Sequence, residues 1–173
     1  MSILRPATPA DIEAIMDVQQ EGSIRALSGI FPQDAYPFPR AELTARWAEE
    51  IADPSVRVLV ILLDEQVTGY VALKDDQLLH FGTATSTWGT GLAVAAHAEI
   101  IELLGGTGRL WVLADNHRAR RFYEKMGWQA TGRSAPDDFP PHPELIEYHL
   151  PVAPGRRTHT TDGHHSMRYG DSS

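Results

Sequence analysis

The chain has no cysteine. That excludes a disulfide framework, a thiol nucleophile and any cysteine-based zinc site, so the fold rests on packing alone. No run of about 18 apolar residues is present, the length that would cross a membrane as a helix. The start, Met1-Ser2-Ile3-Leu4-Arg5, lacks the charged and then apolar regions of a signal peptide. A soluble, cytoplasmic protein with no membrane attachment is expected. Positive charge is also scarce: 15 Lys and Arg stand against 23 Asp and Glu, for a net charge of -8. A general nucleic-acid binder would carry a basic face against phosphates. No nucleic-acid partner is expected, and any anionic ligand must be held by local features. G-x-S-x-G, H-E-x-x-H and a cysteine-bearing deaminase signature are missing too, which removes those hydrolase and deaminase classes.

What is there fits one domain. A chain of 173 residues can bury most of its apolar surface in a single core. Ile3 to Arg5 reads as a short strand. Thr8-Pro9-Ala10-Asp11 then supplies an N-cap, a proline at the first helical position and an acid three residues after the cap, and the helix that follows runs out near Glu21-Gly22. Residues 23 to 40 are too proline-rich for a long helix or a central strand and read as an aromatic loop. Ala41 to Asp53 is a second helix with Leu43, Trp47 and Ile51 facing inward. Val56 to Leu63 and Val67 to Leu73 form a hairpin, and Gln77 to Thr83 is a third β segment.

A helix from Leu92 ends at Gly105-Gly106, Leu110 to Leu113 is a buried strand, and Asn116 to Met126 is a helix stopped by Gly127. Trp128 to Thr131 is a strand, residues 134 to 143 a proline-rich loop, and Leu145 to Leu150 the last strand. The order predicts an α/β fold of the α+β kind, with about seven strands in a mixed sheet and helices on its faces. From Pro154 onward the composition turns polar, so residues 1–153 are read as the domain and 154–173 as a disordered tail. His159, His164 and His165 in that tail are solvated in this reading, and no metal site is expected.

Two pieces carry chemistry. The first is a strand, then Trp88-Gly89-Thr90-Gly91-Leu92-Ala93, then a helix. Small residues let a ligand approach the backbone, and the free N–H groups and dipole of a helix start attract phosphate oxygens. A dinucleotide fingerprint would need glycine where Val94 stands, and the Gly-Lys-Ser/Thr of a P-loop is absent. The second piece is Asn116-His117-Arg118-Ala119-Arg120-Arg121-Phe122-Tyr123-Glu124-Lys125-Met126-Gly127-Trp128. Together they resemble the GNAT superfamily of N-acetyltransferases. That family's CoA loop reads Gln/Arg-x-x-Gly-x-Gly/Ala and its next motif Asn-x-x-Ala-x-x-Phe/Tyr-Tyr-x-x-x-Gly-Phe/Trp. Gly91 and Ala93 fit the first, and Asn116, Ala119, Phe122, Tyr123, Gly127 and Trp128 fit the second. Trp88 departs from the pattern, standing where Gln or Arg is usual.

The resemblance implies an acetyl-CoA-dependent transfer of an acetyl group directly to a primary amine of a small molecule or peptide, on a mostly antiparallel sheet whose strands splay at the acetyl-CoA site. It implies that the N–H groups of residues 88 to 93 hold the pyrophosphate: Trp88, Gly89, Thr90, Gly91, Leu92 and Ala93. The strand edge at Thr83, Ala84 and Thr85 would pair with the pantetheine amides, Asn116 would bond the pantetheine or phosphate region, and Ala119 and Arg120 would lie near the nucleotide. Tyr123 would donate a proton to the leaving thiolate, a task suited to a phenol of pKa about 10 against a thiol near 8.5. A backbone N–H near Thr83 to Thr85 would meet the oxyanion.

The amine must lose a proton before attack. Many family members place a glutamate on the strand before the loop, but here that stretch is Gln77-Leu78-Leu79-His80. His80 is the nearest titratable substitute, with Glu147, Asp137, Asp138 and His142 as rivals. The acceptor pocket in such proteins lies between the loop joining the first two helices, here with Phe31, Tyr36 and Phe38, and the loop before the last strand, with Asp137, Asp138, Phe139 and His142. Aromatic walls beside carboxylates suit a cationic amine. Homodimerisation is common in the family, and nothing in the sequence identifies an interface. Two other readings stay open: an acyl-CoA sensor or scaffold without turnover, and a mononucleotide or dinucleotide binder using the Gly89-Thr90-Gly91 turn.

Overall fold

The computed structural model describes residues 1–152, and the polar tail with its three histidines lies outside the described residues. The elements, in chain order, are β1 (Leu4–Pro6), α1 (Ile12–Leu27), α2 (Arg40–Ala52), β2 (Arg57–Leu63), β3 (Gln66–Lys74) and β4 (Gln77–Thr83). They continue with α3 (Leu92–Leu104), β5 (Gly108–Leu113), α4 (His117–Lys125), β6 (Gln129–Pro136) and β7 (Glu144–Leu150). The strands make one seven-stranded sheet in the order β1-β2-β3-β4-β5-β7-β6. All neighbours are antiparallel except β4 and β5. Among the described residues no helix is long and apolar enough to cross a membrane.

Why the central strands are almost uniformly apolar follows from their two covered faces. Along β2 and β3, Val58, Val60, Tyr70 and Ala72 pack beneath α1 and α2 with Ile15, Leu27, Leu43 and Trp47. Alternate residues Leu59, Ile61, Val71 and Leu73 pack beneath α3 and α4 with Ala96, Ile100, Ala119 and Tyr123. Two cores thus share one sheet, each made by the period-two alternation of strand side chains.

The middle of the sheet is where it opens. β4 and β5 pair only at Gln77↔Arg109, so beyond that point the two parallel strands part. The closed end is clasped by Arg109, whose Nε lies 3.0 Å from Asp76 Oδ2 and whose backbone N–H donates to the Asp76 carbonyl at 2.9 Å. Just above it β4 carries a bulge. The register steps from Ala72↔His80 to Leu73↔Leu78, which leaves Leu79 without an opposite residue.

Three boundaries differ from the sequence reading by two residues or more. α1 continues past Glu21-Gly22 to Leu27, because Gly22, Ser23 and Leu27 are buried and packing outweighs the poor helix propensity of glycine. β6 extends through Pro136, taking the first residues of the expected loop: Ser134, Ala135 and Pro136 pair with Ile146, Leu145 and Glu144. Proline is tolerated there because β6 is a sheet edge. β5 begins at Gly108 rather than Leu110, with a glycine where a Cβ would sit 3.0 Å from Leu104 and 3.1 Å from Trp128. Thr8 and Asp11 do cap the N-terminal turn as expected, the Asp11 carboxylate accepting the Thr8 backbone N–H at 2.8 Å.

Candidate active site

β4 ends at Thr83, and the chain then winds through a 3-10 turn, Thr85–Thr87, before α3 begins. The turn is stitched internally: Thr87 N–H donates to Ala84 carbonyl at 2.9 Å, Trp88 N–H to Thr85 carbonyl at 3.2 Å and Thr90 N–H to Thr87 carbonyl at 3.2 Å. Trp88 and Thr90 therefore spend within the loop the donors that the sequence reading assigned to a pyrophosphate. Gly89 and Gly91 take no part in those backbone donations. Their φ angles of 79° and 91° lie in the left-handed region that glycine tolerates, and a Cβ at either would meet nothing within 4 Å. An anion can approach their backbone from that open side.

The expected pantetheine edge is also shifted. Ala84 N–H donates to the Thr68 carbonyl at 2.7 Å, and the Thr85 hydroxyl turns to Glu21 of α1 at 2.6 Å. The edge from which β5 has parted lies on β4 between Leu78 and Thr83.

A cavity of about 440 Å³ opens between this loop and α4. Thr83, Thr87, Trp88, Gly89, Gly91 and Ala93 form one wall, and Arg118, Phe122 and Lys125 of α4 form the other. α4 presents these three residues on one stripe because they recur at helical spacing. Its N-terminus is capped by Asn116, whose Oδ1 accepts the Ala119 N–H at 3.3 Å. A glycine turn at a helix start facing an arginine and a lysine has the donors and charge to receive a phosphate group, and it gathers locally the positive charge that the acidic chain lacks overall.

A family model for the acetyltransferase (GNAT) family matches residues 23–128. The chain belongs to this family. Its GNAT relatives include an uncharacterized N-acetyltransferase of Mycobacterium tuberculosis and one of Mycobacterium bovis, each 31% identical over 113 residues, which cover 60% of this chain and 72% of the relative. The fold is similar to that of PaiA N-acetyltransferase from Thermoplasma acidophilum, solved with coenzyme A, at a TM-score of 0.60, 18% identity and coverage of 85% of this chain and 98% of that one. It is also similar to spermidine N-acetyltransferase from Vibrio cholerae, solved with CoA and spermine, at a TM-score of 0.63, 17% identity and coverage of 85% and 93%. The chain is an N-acetyltransferase, and acetyl-CoA is the acetyl donor of its family.

Against this GNAT frame the remaining expected residues divide. Ala119 is buried on the inner face of α4, and Asn116 caps that helix. Arg120 does not face the cavity: its Nε donates to the Tyr148 hydroxyl at 3.1 Å and its Nη1 to the Ala114 carbonyl at 2.8 Å, so it ties α4 to β7 and the end of β5. Helical phase explains the correction, since Arg118 and Phe122 share the cavity side and Arg120 falls on another. Tyr123 is 5% exposed, with its ring edge-on to Phe122 and Trp128 at 5.5 and 5.8 Å. The side chain of Phe122, its neighbour, forms the cavity wall.

The base candidates are spread out. His80 is 1% exposed, and its Nε2 lies 2.9 Å from one Glu50 oxygen and 3.1 Å from the other, with Trp47 packed 4.8 Å away on the ring. Glu147 is buried and accepts the Thr131 hydroxyl at 2.9 Å. Asp137 is buried, accepting the Phe139 N–H at 2.8 Å, while Asp138 and His142 are exposed on the same loop and His142 Nδ1 lies 2.9 Å from the Asp137 carbonyl oxygen. Phe31 and Phe38 pack into the core beneath α1 and α2, with only half-buried Tyr36 at its edge, so these aromatics close the core rather than wall an open pocket. The cavity also holds Thr87, Val94 and Phe122, to which the sequence reading gave no ligand role. For Phe122 the signal is the stripe of α4 that it shares with the basic Arg118 and Lys125.

Proposed function

We propose that this GNAT enzyme transfers an acetyl group from acetyl-CoA to the primary amine of a small molecule, with the donor's phosphates in the cavity between the Gly89–Gly91 turn and α4. The observation that carries the reading is the meeting in one cavity of that turn with Arg118 and Lys125, at the mouth of the β4–β5 opening. Gly89 and Gly91 offer backbone N–H groups from an unobstructed side, and the two cations balance phosphate charge. The edge of β4 from which β5 has parted would pair with the extended pantetheine arm, whose length suits a strand-like partner. Bound there, acetyl-CoA supplies the activated acyl group. The chain's own contribution is to orient it and to move protons.

For proton movement, Tyr123 is assigned as the donor to the departing thiolate, since its ring packs edge-on at 5.5 Å against Phe122 of the cavity wall. His80, held by Glu50, is assigned to the acceptor side, because the β4 bulge turns it toward α2 and away from the α3–α4 face. A small amine as acceptor is supported by relatives of the same fold such as the spermidine enzyme. Thermal melting with acetyl-CoA, NAD and ATP tests the cofactor, because a ligand bound only by the folded state raises its melting temperature. Selective stabilisation by acetyl-CoA, followed by turnover with a panel of polyamines and amino acids, is the expected result. No shift with acetyl-CoA on folded protein would overturn the assignment.

A further inference from the structure

Trp88 stands where the GNAT pattern has Gln or Arg, so the phosphate loop of this chain lacks a polar side chain of its own at that position. The tertiary structure brings other groups there. The Trp88 indole donates its Nε1–H to the Thr83 carbonyl at 3.1 Å, which pins the ring against the end of β4. The Arg118 guanidinium of α4 lies over the ring, with Cζ 3.6 Å from the centroid, and Arg25 of α1 stands 5.5 Å from it. Both lie within cation–π range.

Two guanidinium groups gathered at one indole repel each other. Among the described residues neither forms an ion pair. Arg118 Nε is shut off from solvent, with no hydrogen-bond partner among the described residues. Burial, and then the charges of Arg25 and Arg121, hold the Arg118 guanidinium below its ordinary pKa. A half-buried cation with like charges beside it favours an anion within reach. Its side chain lines the same cavity as Gly89, Gly91 and Lys125.

We infer that Trp88 is a positioning residue for the acetyl donor: its indole is the platform that delivers Arg118, flanked by Arg25, to the CoA pyrophosphate. The charge contact that the family pattern places on the loop comes in this chain from two helices, α4 and α1. The inference rests on the assignment of this cavity to acetyl-CoA.

The test compares CoA with pantetheine, which carries neither the pyrophosphate nor the nucleotide, on wild type, Trp88→Ala, Trp88→Phe, Arg118→Ala and the Trp88→Ala/Arg118→Ala double variant. Calorimetry reads CoA and ligand-observed NMR reads pantetheine. Trp88→Ala and Arg118→Ala should each weaken CoA binding by roughly tenfold. The double variant should be little weaker than either, because the two side chains act as one unit. Trp88→Phe should keep most of the affinity, and pantetheine binding should be the same throughout. Trp88→Leu, which keeps apolar volume without a π face, replaces Trp88→Ala if that variant does not fold.

Wild-type CoA affinity in Trp88→Ala or Trp88→Leu would overturn the inference, as would losses that multiply in the double variant. Equal loss of pantetheine and CoA would also overturn it, since Trp88 would then only support the loop. A wild type that binds no CoA would instead sink the cofactor assignment, and this inference with it.

Discussion

At the scale of single residues, His97 shows how burial sets a charge state. It lies on α3 and accepts the Trp128 indole N–H on Nε2 at 2.9 Å, with Phe122 edge-on at 5.6 Å. Burial pushes its pKa down from 6.5 to about 4. Between those values the unfolded chain binds a proton that the folded protein refuses. The stability contributed by neutral His97 is therefore complete above pH 6.5 and is lost as pH falls toward about 4. The loss should reach about 3 kcal/mol. Urea unfolding at about pH 7.5 and about pH 4.5 checks this, with His97→Gln as the comparison, because the amide keeps an acceptor for Trp128 without titrating in this window. An equal fall in both proteins would show that other groups carry the acid sensitivity.

Tyr123 poses the opposite question, whether a packed aromatic also works. Its ring is held by Phe122 and Trp128, so Tyr123→Phe preserves the packing and removes only the hydroxyl. We expect kcat to fall about a hundredfold with acetyl-CoA affinity unchanged. A kcat within twofold of wild type would leave Tyr123 a packing residue alone.

At the scale of elements, the loop between β4 and α3 is shaped by two residues that need positive φ. Gly91→Ala places a side chain at φ 91° in open space. The apo protein should lose about 1 kcal/mol from backbone strain, while acetyl-CoA affinity falls further because the added methyl occupies the ligand's approach. Loss of stability with no loss of affinity would place the phosphates elsewhere. The link between β4 and α2 is the His80–Glu50 pair, which exists because the bulge at Leu79 turns His80 toward that helix. Glu50→Ala should cost about 2–3 kcal/mol in urea unfolding, since His80 would stay buried beside Trp47 without that carboxylate. A cost below about 0.5 kcal/mol, the usual level of surface changes, would show that the pair adds little.

At the scale of the whole molecule, the net charge of -8 and the local cation cluster make opposite demands on an anionic donor. Their ranges decide between them. Salt screens charges separated by more than about 10 Å at 0.1 M and screens a partly buried contact much less. If Arg118, Arg25 and Lys125 govern binding, acetyl-CoA affinity falls as NaCl rises from about 50 to about 500 mM. If the acidic surface governs it, affinity rises instead. The sign of that slope is the measurement.

The sequence by itself determined the strands, the helices and the two GNAT segments, because each is a local property: strand alternation, helical spacing, glycine at positive φ and an asparagine cap. Thr83, Trp88, Gly89, Gly91 and Ala93, which the GNAT resemblance assigns to acetyl-CoA, line one cavity. Tertiary structure decided the rest. Gly22 and Ser23 continue α1 because the fold buries them, Phe31 and Phe38 leave the expected pocket wall for the core, and Arg120 turns to Tyr148 while Arg118 turns to Trp88. The partnerships of His80 with Glu50 and of Trp88 with Arg25 and Arg118 join segments far apart in the chain. No local pattern encodes them, because what selects them is the burial of one side chain against another that only the folded sheet brings near.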